Sequence, residues 1–334
     1  KKAEGTSFDT PADLLDQLFD ETHAYGQRIT ENPNLTKTFT LNSLVALDNA
    51  AWCLYANHLG TEDFDAIIPK PYRAALNRRH DKIACVPLLS YNVSSEEITQ
   101  LVEDGFFFLK IKIGAPGSPR EMLAADKDRL AAVYELTKHA RTPYTPDGRL
   151  RYYLDANGRY ADKPLLEELI EDSRRTGMFH QTAVLEEPFP QHLEETVDDL
   201  GLRVAADESL HDMHQLTHRL QLGYGALALK PAGKTLTMTL RMAHAAHQHD
   251  VPCFVADSAC TPLLVDWNKN VAARLKPFGD LTTGLLESNG RDNYRDWLAL
   301  LAKHPCYGAE WLTPRNGTFT LPDDFYRTSG GIFR

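Results

Sequence analysis

The sequence predicts an α/β protein: a (β/α)8 barrel of the TIM type with a partial, mainly helical N-terminal cap. Three observations predict it. From Ile83 onward, eight short apolar runs alternate with stretches patterned as amphipathic helices. Residues 9–80, before them, show helical spacing and no strand-like alternation. The chemistry-bearing residues lie at or just past the C-terminal ends of the runs, where a parallel barrel presents its site.

The elements follow in order. Thr10-Pro11 opens a first helix with Leu14, Leu15, Leu18 and Phe19 on one stripe, and Pro11 sits in a first turn that tolerates it. Leu41 to Leu59 forms a second, with Leu44, Leu47, Ala51, Leu54 and Tyr55 as its stripe and Gly60 as its stop. Strands are expected at 83–89, 106–113, 151–155, 183–186, 203–206, 226–230, 253–257 and 281–286. Amphipathic helices are expected between them, for example at 94–104 and 234–249. Beyond Leu286 a helix is expected at 291–303, with the tail folding back over the N-terminal part. The chain thus divides into a partial cap (1–82), a barrel (83–290) and a C-terminal segment (291–334) that partly returns to the cap. A doubly wound sheet would carry a glycine-rich turn after its first strand, and Leu89-Ser90-Tyr91-Asn92 has none.

Composition narrows the function classes. With 334 residues, 43% hydrophobic and 25% charged, the chain can bury one large core. A net charge of −10 argues against the clustered basic face of a nucleic-acid binder and against an anionic membrane surface. No apolar run approaches the ~20 residues that span a bilayer. The opening segment KKAEGTSFDT has no apolar core of a signal peptide and no initiating Met, so upstream residues are expected. Cys53, Cys85, Cys253, Cys260 and Cys306 are few, odd in number and without a CxxC pair. A reducing, cytoplasmic compartment is the simplest reading.

Side chains two apart on a strand share a face. Lys110 and Lys112 therefore point together into the expected barrel mouth, with Phe106 and Phe108 below them. Asp155 and Asn157 share a face at the end of the next strand, where Gly158 lets the chain turn. Glu186 ends the strand after that, and Pro188 stops it. Asp207 ends the following one, and Lys230 the one beyond. Each acid alone reads more easily as a turn residue or a helix cap. Their order decides otherwise: Glu186 follows Asp155 by 31 residues and Asp207 follows Glu186 by 21, about one βα unit each. Three consecutive strands would deliver three carboxylates to one rim. An all-oxygen donor set with no convergent His or Cys favours a hard cation such as Mg2+. Such an ion would polarise a bound carboxylate and stabilise the enediolate left when its α-proton departs. A lysine base must lose its proton near neutral pH, and a neighbouring cation plus partial burial are expected to lower its pKa.

The segments Lys110-Ile111-Lys112, Asp155-Ala156-Asn157, Glu186-Glu187-Pro188, Asp207-Glu208-Ser209 and Lys230-Pro231-Ala232-Gly233, in this order, resemble the enolase superfamily. The Lys-x-Lys form resembles its muconate-lactonizing subgroup, which includes dipeptide epimerases and o-succinylbenzoate synthases. The resemblance covers roughly 83–290 and suits a helical remnant of a cap domain before it. It implies Asp155, Glu186 and Asp207 as Mg2+ ligands, with Glu186 chosen over Glu187. It implies Lys112 and Lys230 as acid/base residues, Lys110 as their modulator, and Asn157 and Glu208 as groups behind the ligands. Asp257-Ser258 takes the place of the usual seventh-strand acid. After the eighth strand, Leu286-Glu287-Ser288-Asn289 replaces the Asp-x-Asp of dipeptide epimerases, which leaves Glu287 as a site residue without fixing the substrate. The family's mobile cap loop is expected upstream of Lys1. A homo-oligomer is expected only by analogy.

The expected function is Mg2+-dependent removal of a proton α to a carboxylate in a small-molecule substrate. Lysines on two sides favour a racemase or epimerase of an N-acyl amino acid, dipeptide or related acid. The same site suits β-elimination or cycloisomerisation, and a non-catalytic carboxylate-binding barrel is the reading from another class. Other motifs fail. Gly233-Lys234-Thr235 resembles the end of a phosphate-binding loop, but its first glycine would fall on Ala228. No G-x-S-x-G occurs, and His244, His247 and His249 fall on a helix expected on the barrel's outer surface.

Overall fold

The chain begins its regular structure with helix α1 (Pro11–Ile29), where the Asp13 carboxylate accepts the Thr10 N–H at 2.8 Å. The computed structural model describes residues 3–334; Lys1 and Lys2, the start of the expected cap segment, lie outside the described residues. Helix α2 (Lys37–Leu59) starts four residues before the expected Leu41 and stops at Gly60 in the left-handed region. Leu14 and Leu18 of α1 pack against Ala51 of α2. A short α3 (Phe64–Ile67) leads into the sheet.

The run expected as one strand at 83–89 is two, β1 (Lys82–Val86) and β2 (Leu88–Leu89). Pro87 between them has no N–H to give to a ladder. β1 pairs with the last barrel strand and β2 with the next one, so this broken run closes the barrel. The Ser94 hydroxyl and Glu97 cap each other at the start of α4 (Ser95–Glu103). The alternation continues through β3 (Phe108–Lys112), α5 (Pro119–Thr137), β4 (Arg151–Asp155), α6 (Lys163–Thr176) and β5 (Thr182–Glu186). Then come β6 (Val204–Ala206), α7 (Met213–Gln221), β7 (Ala226–Leu229), the single turn α8 (Pro231–Lys234) and α9 (Leu236–Gln248). The barrel ends with β8 (Cys253–Val255), α10 (Pro262–Ala272) and β9 (Gly284–Glu287). Neighbouring barrel strands are parallel throughout.

Three expectations about secondary structure need correction. No α-helix joins β5 to β6; a 3-10 turn at Asp198–Leu200 does, because Pro188 and Pro190 hold the exit extended, and the connection buries Phe189, Val197 and Leu200. The helix expected at 291–303 is split into α11 (Gly290–Asn293) and α12 (Trp297–Leu301), with Tyr294 extended between them. After them, β10 (Thr318–Thr320) pairs antiparallel with β1, a strand too short to show alternation in the sequence. Helix α13 (Asp323–Thr328) follows. The tail then reaches the N-terminal helices: the Phe64 N–H donates to Ser329 Oγ at 2.8 Å, and Arg334 pairs with Glu62 at 3.0 Å.

The barrel interior is filled by aromatic rings. Tyr153 meets Phe254 edge-on at 5.2 Å between centroids, Phe254 meets Phe278 at 5.1 Å, and Phe278 meets Phe108 at 6.4 Å. Lys110, two residues beyond Phe108 on the same face, stands on this floor with its ammonium 4.5 Å from the Tyr153 ring centre. Among the described residues no helix is long and apolar enough to cross a membrane.

Candidate active site

Parallel register brings the acids level. Lys112 pairs with Asp155, Asp155 with Glu186, and Glu186 with Ala205, two positions before Asp207. Three neighbouring strand ends therefore carry Asp155, Glu186 and Asp207 side by side, and all three are buried.

Lysines close this row at both ends and from beneath. Lys112 Nζ lies 2.5 Å from Asp155 Oδ2, and Lys230 Nζ lies 2.5 Å from Asp207 Oδ2. From the barrel axis, Lys110 reaches Asp155 Oδ2 and Glu186 Oε2 at 2.8 Å each and Glu287 Oε2 at 3.0 Å. The Tyr153 hydroxyl donates to Glu186 Oε2. Asn157 accepts from Lys112 through Oδ1 and donates through Nδ2 to Glu208 Oε1 at 2.8 Å. Glu287 also accepts the Asp257 N–H at 3.2 Å and the Asn289 amide at 3.0 Å. Asp257 itself is engaged by backbone, accepting from Ser258 at 2.7 Å and Asn289 at 2.7 Å, while the Ser258 side chain is exposed. Every residue singled out in the sequence thus lies on this rim or directly behind it.

The rim also holds residues the sequence reading passed over. Buried Lys234 contacts Asp207 Oδ1 at 3.0 Å. Glu187 turns away from the row at a backbone φ of 37° and accepts the Asp207 N–H at 2.7 Å and the Ser209 hydroxyl at 3.0 Å. From α2, Thr38 donates to the Glu208 carbonyl at 3.2 Å and Asn42 to the Gly233 carbonyl at 3.2 Å, so the first turns of that helix lean on the loops after β6 and β7. Of these, Glu187 was weighed in the sequence and set aside for Glu186, and Lys234 had a visible signal four residues after Lys230. A cavity of about 690 Å3 opens elsewhere, on the outer flank near Pro87, lined by Leu88, Leu101, Phe106 and Trp297, and takes in none of the acids.

The electrostatics follow from these contacts. Burial alone would pull the Lys110 and Lys230 pKa values down, but the carboxylates outweigh it. Asp155, Glu186 and Glu287 push Lys110 well up, and Asp207, Glu186 and Glu208 push Lys230 up. For both lysines the nearest charges are acids, and these set the direction. The acids respond in turn. Burial works upward on Asp155, but Lys110 and Lys112 bring it to about 2. Burial works upward on Asp207 too, but Lys230 and Lys234 carry it below the usual carboxylate range. Glu186, in the middle, is pushed well up by burial and by Asp155 and Asp207 on its flanks.

These residues fit a divalent cation in donor type and charge. Three adjacent carboxylates offer only oxygen. Glu186 Oε1 is buried with no hydrogen-bond partner, and burial first, then the flanking Asp155 and Asp207, push Glu186 upward. Among the described residues no three acids already stand around one point as a metal cluster, since Asp155 and Asp207 are turned onto ammonium groups.

A parallel eight-stranded barrel with acids and lysines on its C-terminal rim defines a class of enzyme scaffold. The family model described as enolase C-terminal domain-like matches residues 94–324, and the chain belongs to that family, within the enolase superfamily. These are isomerases and lyases that generally carry out Mg2+-dependent proton abstraction. Solved structures share the fold. A mandelate racemase/muconate lactonizing enzyme from Bordetella bronchiseptica RB50 is 18% identical with a TM-score of 0.65, over 97% of this chain and 82% of its own. One from a marine actinobacterium, in complex with magnesium, is 18% identical with a TM-score of 0.62, over 93% and 77%. A mandelate racemase/muconate lactonizing protein from Herpetosiphon aurantiacus is 16% identical with a TM-score of 0.59, over 91% and 82%. No curated protein matches.

Proposed function

We propose that this chain racemises or epimerises a small carboxylate substrate, of the N-acyl amino acid or dipeptide type, by moving the proton on its α-carbon. One observation carries the reading: Lys112 and Lys230 stand at opposite ends of the row Asp155–Glu186–Asp207. A planar intermediate lying over that row would have one amine toward each face. Removal of the proton by one lysine and return by the other inverts the centre.

Asp155, Glu186 and Asp207 would hold Mg2+. Such an ion would supply positive charge to polarise a substrate carboxylate and stabilise the enediolate. Lys110, buried beneath, keeps Asp155, Glu186 and Glu287 partly neutralised and fixed in place. Asn157 orients the Lys112 ammonium and ties it to Glu208. The five free cysteines fit a reducing, cytoplasmic setting.

The test is to incubate N-acyl amino acids and dipeptides with the protein and Mg2+ in D2O and follow the α-proton by NMR. Exchange is expected with at least one of them, abolished in the Lys112→Ala, Lys230→Ala double variant. Exchange that survives in the double variant, or no exchange with any carboxylate, overturns the reading. Loss of a β-substituent in place of exchange would mark an eliminating enzyme instead.

A further inference from the structure

Asp207 is held by two lysines that are not equivalent. Lys230 meets Asp207 Oδ2 at 2.5 Å with its side chain 17% exposed. Lys234 is buried, and its ammonium uses all three N–H donors: on the Asp207 carbonyl at 2.5 Å, on Asp207 Oδ1 at 3.0 Å and on the Leu210 carbonyl at 3.0 Å.

The backbone fixes Lys234 there. The single turn α8 ends at Thr235, whose φ of 71° lies in a region that β-branched residues rarely enter. The Thr235 hydroxyl then caps α9 by accepting the Met238 N–H at 3.1 Å. On its other side the turn is tight: a Cβ added at Gly233 would lie 2.6 Å from Ser258 Oγ and 3.2 Å from Lys230 Cβ. Glu187 holds the Asp207 N–H at 2.7 Å. The N–H, carbonyl and Oδ1 of Asp207 are therefore all tied to buried groups, and Oδ2 alone faces a partner able to leave.

We infer that Lys234 is a positioning residue. It clamps Asp207 so that Oδ2 is the oxygen presented to a divalent cation, and it keeps an ammonium on Oδ1 when Lys230 leaves to serve the substrate. This inference rests on reading Asp207 as a Mg2+ ligand. Removing Lys234 has two opposed effects on that ion. By charge alone, loss of a cation on the far oxygen of Asp207 tightens Mg2+ binding. Loss of the clamp frees the carboxylate and weakens it, and such outer partners of metal ligands typically matter ~10–100-fold in affinity. The clamp predicts that the second effect wins.

Calorimetric titration of Mg2+ into the native protein and Lys234→Met decides it, with circular dichroism confirming that both are folded. The expected result is Mg2+ binding weakened ~10–100-fold in the variant. An equal or tighter Kd overturns the clamp, since a role in stability alone lowers Tm and leaves the Kd of the folded protein unchanged. No Mg2+ binding by the native protein overturns the reading of Asp207 and the clamp with it. If Lys234→Met does not fold, a crystal structure of the native protein with Mg2+ gives the answer. Asp207 Oδ2 on the ion with Lys234 still on Oδ1 is expected; Oδ1 on the ion, or Lys234 away from Asp207, overturns the inference.

Discussion

Lys112 and Lys230 lie against the two outer acids of one buried row, each 2.5 Å from the carboxylate beside it, with Glu186 between. If each amine serves one face of the substrate, single variants will separate the two half-reactions. Lys112→Ala and Lys230→Ala are each expected to lower racemisation ~10²–10⁴-fold. Each should still exchange the α-proton of one enantiomer, and of opposite enantiomers. Separate NMR exchange measurements on the two enantiomers check this, and equal exchange of both in either variant would sink the two-base arrangement.

Lys110 is buried with three acids around it. Truncating one member of a buried charged group leaves the others unpaired, at a cost of ~3–5 kcal/mol. Urea denaturation of Lys110→Met, with divalent ions chelated, is expected to show a loss of that order. Adding Glu287→Gln should recover part of it. A loss below ~1 kcal/mol would mean that protonation of the acids, rather than Lys110, neutralises them.

Asp48 of α2 is buried, accepting the Thr237 N–H at 3.1 Å and the Thr237 hydroxyl at 2.5 Å, and burial raises its pKa to about 6. The folded state therefore keeps this proton to higher pH than the unfolded chain. Below the unfolded value of 3.8 the group is protonated in both states and contributes nothing. As pH rises from there to about 6, stability falls, by about 3 kcal/mol in all. Above that the loss is complete. Asp48→Asn cannot ionise, so the stability of the variant relative to the native protein is expected to rise across this window. A difference that stays flat from pH 4 to 7 in chemical denaturation contradicts it.

Gly290 begins α11 where a Cβ would fall 2.0 Å from the Cys260 carbonyl. Its neighbour Asn289 holds Asp257 and Glu287. Gly290→Ala is expected to cost ~1–3 kcal/mol through overpacking and to lower turnover by shifting Glu287. Thermal melts and initial rates read the two effects, and an unchanged Tm would show that the loop after β8 yields freely.

Much of this was legible in the sequence because the relevant information is local. Strand ends and the residues on them follow from apolar runs and two-residue alternation, which is why Asp155, Glu186, Asp207 and Lys230 could be placed on one rim. What the sequence hid depends on neighbours far along the chain. Pro87 splits a strand, but only pairing shows that its halves serve different partners. Lys234 looked like the remnant of a failed motif, and its three acceptors lie on residues 24 and 27 positions earlier. The direction of the Lys110 and Lys230 pKa shifts required knowing that four acids, Asp155, Glu186, Asp207 and Glu287, surround them within hydrogen-bonding reach.

The contact between Lys110 and Glu287 joins residues 177 positions apart and spans the broken strand that seals the barrel. Its two ends meet only when β3 and β9 have both docked on residues 82–89. Closing so long a loop is slow and comes before any reward from the contacts it makes. A growing chain that has not yet emerged past Glu287 therefore carries the acids and lysines of the rim without the geometry that sets their protons. The site is therefore complete only in the closed barrel.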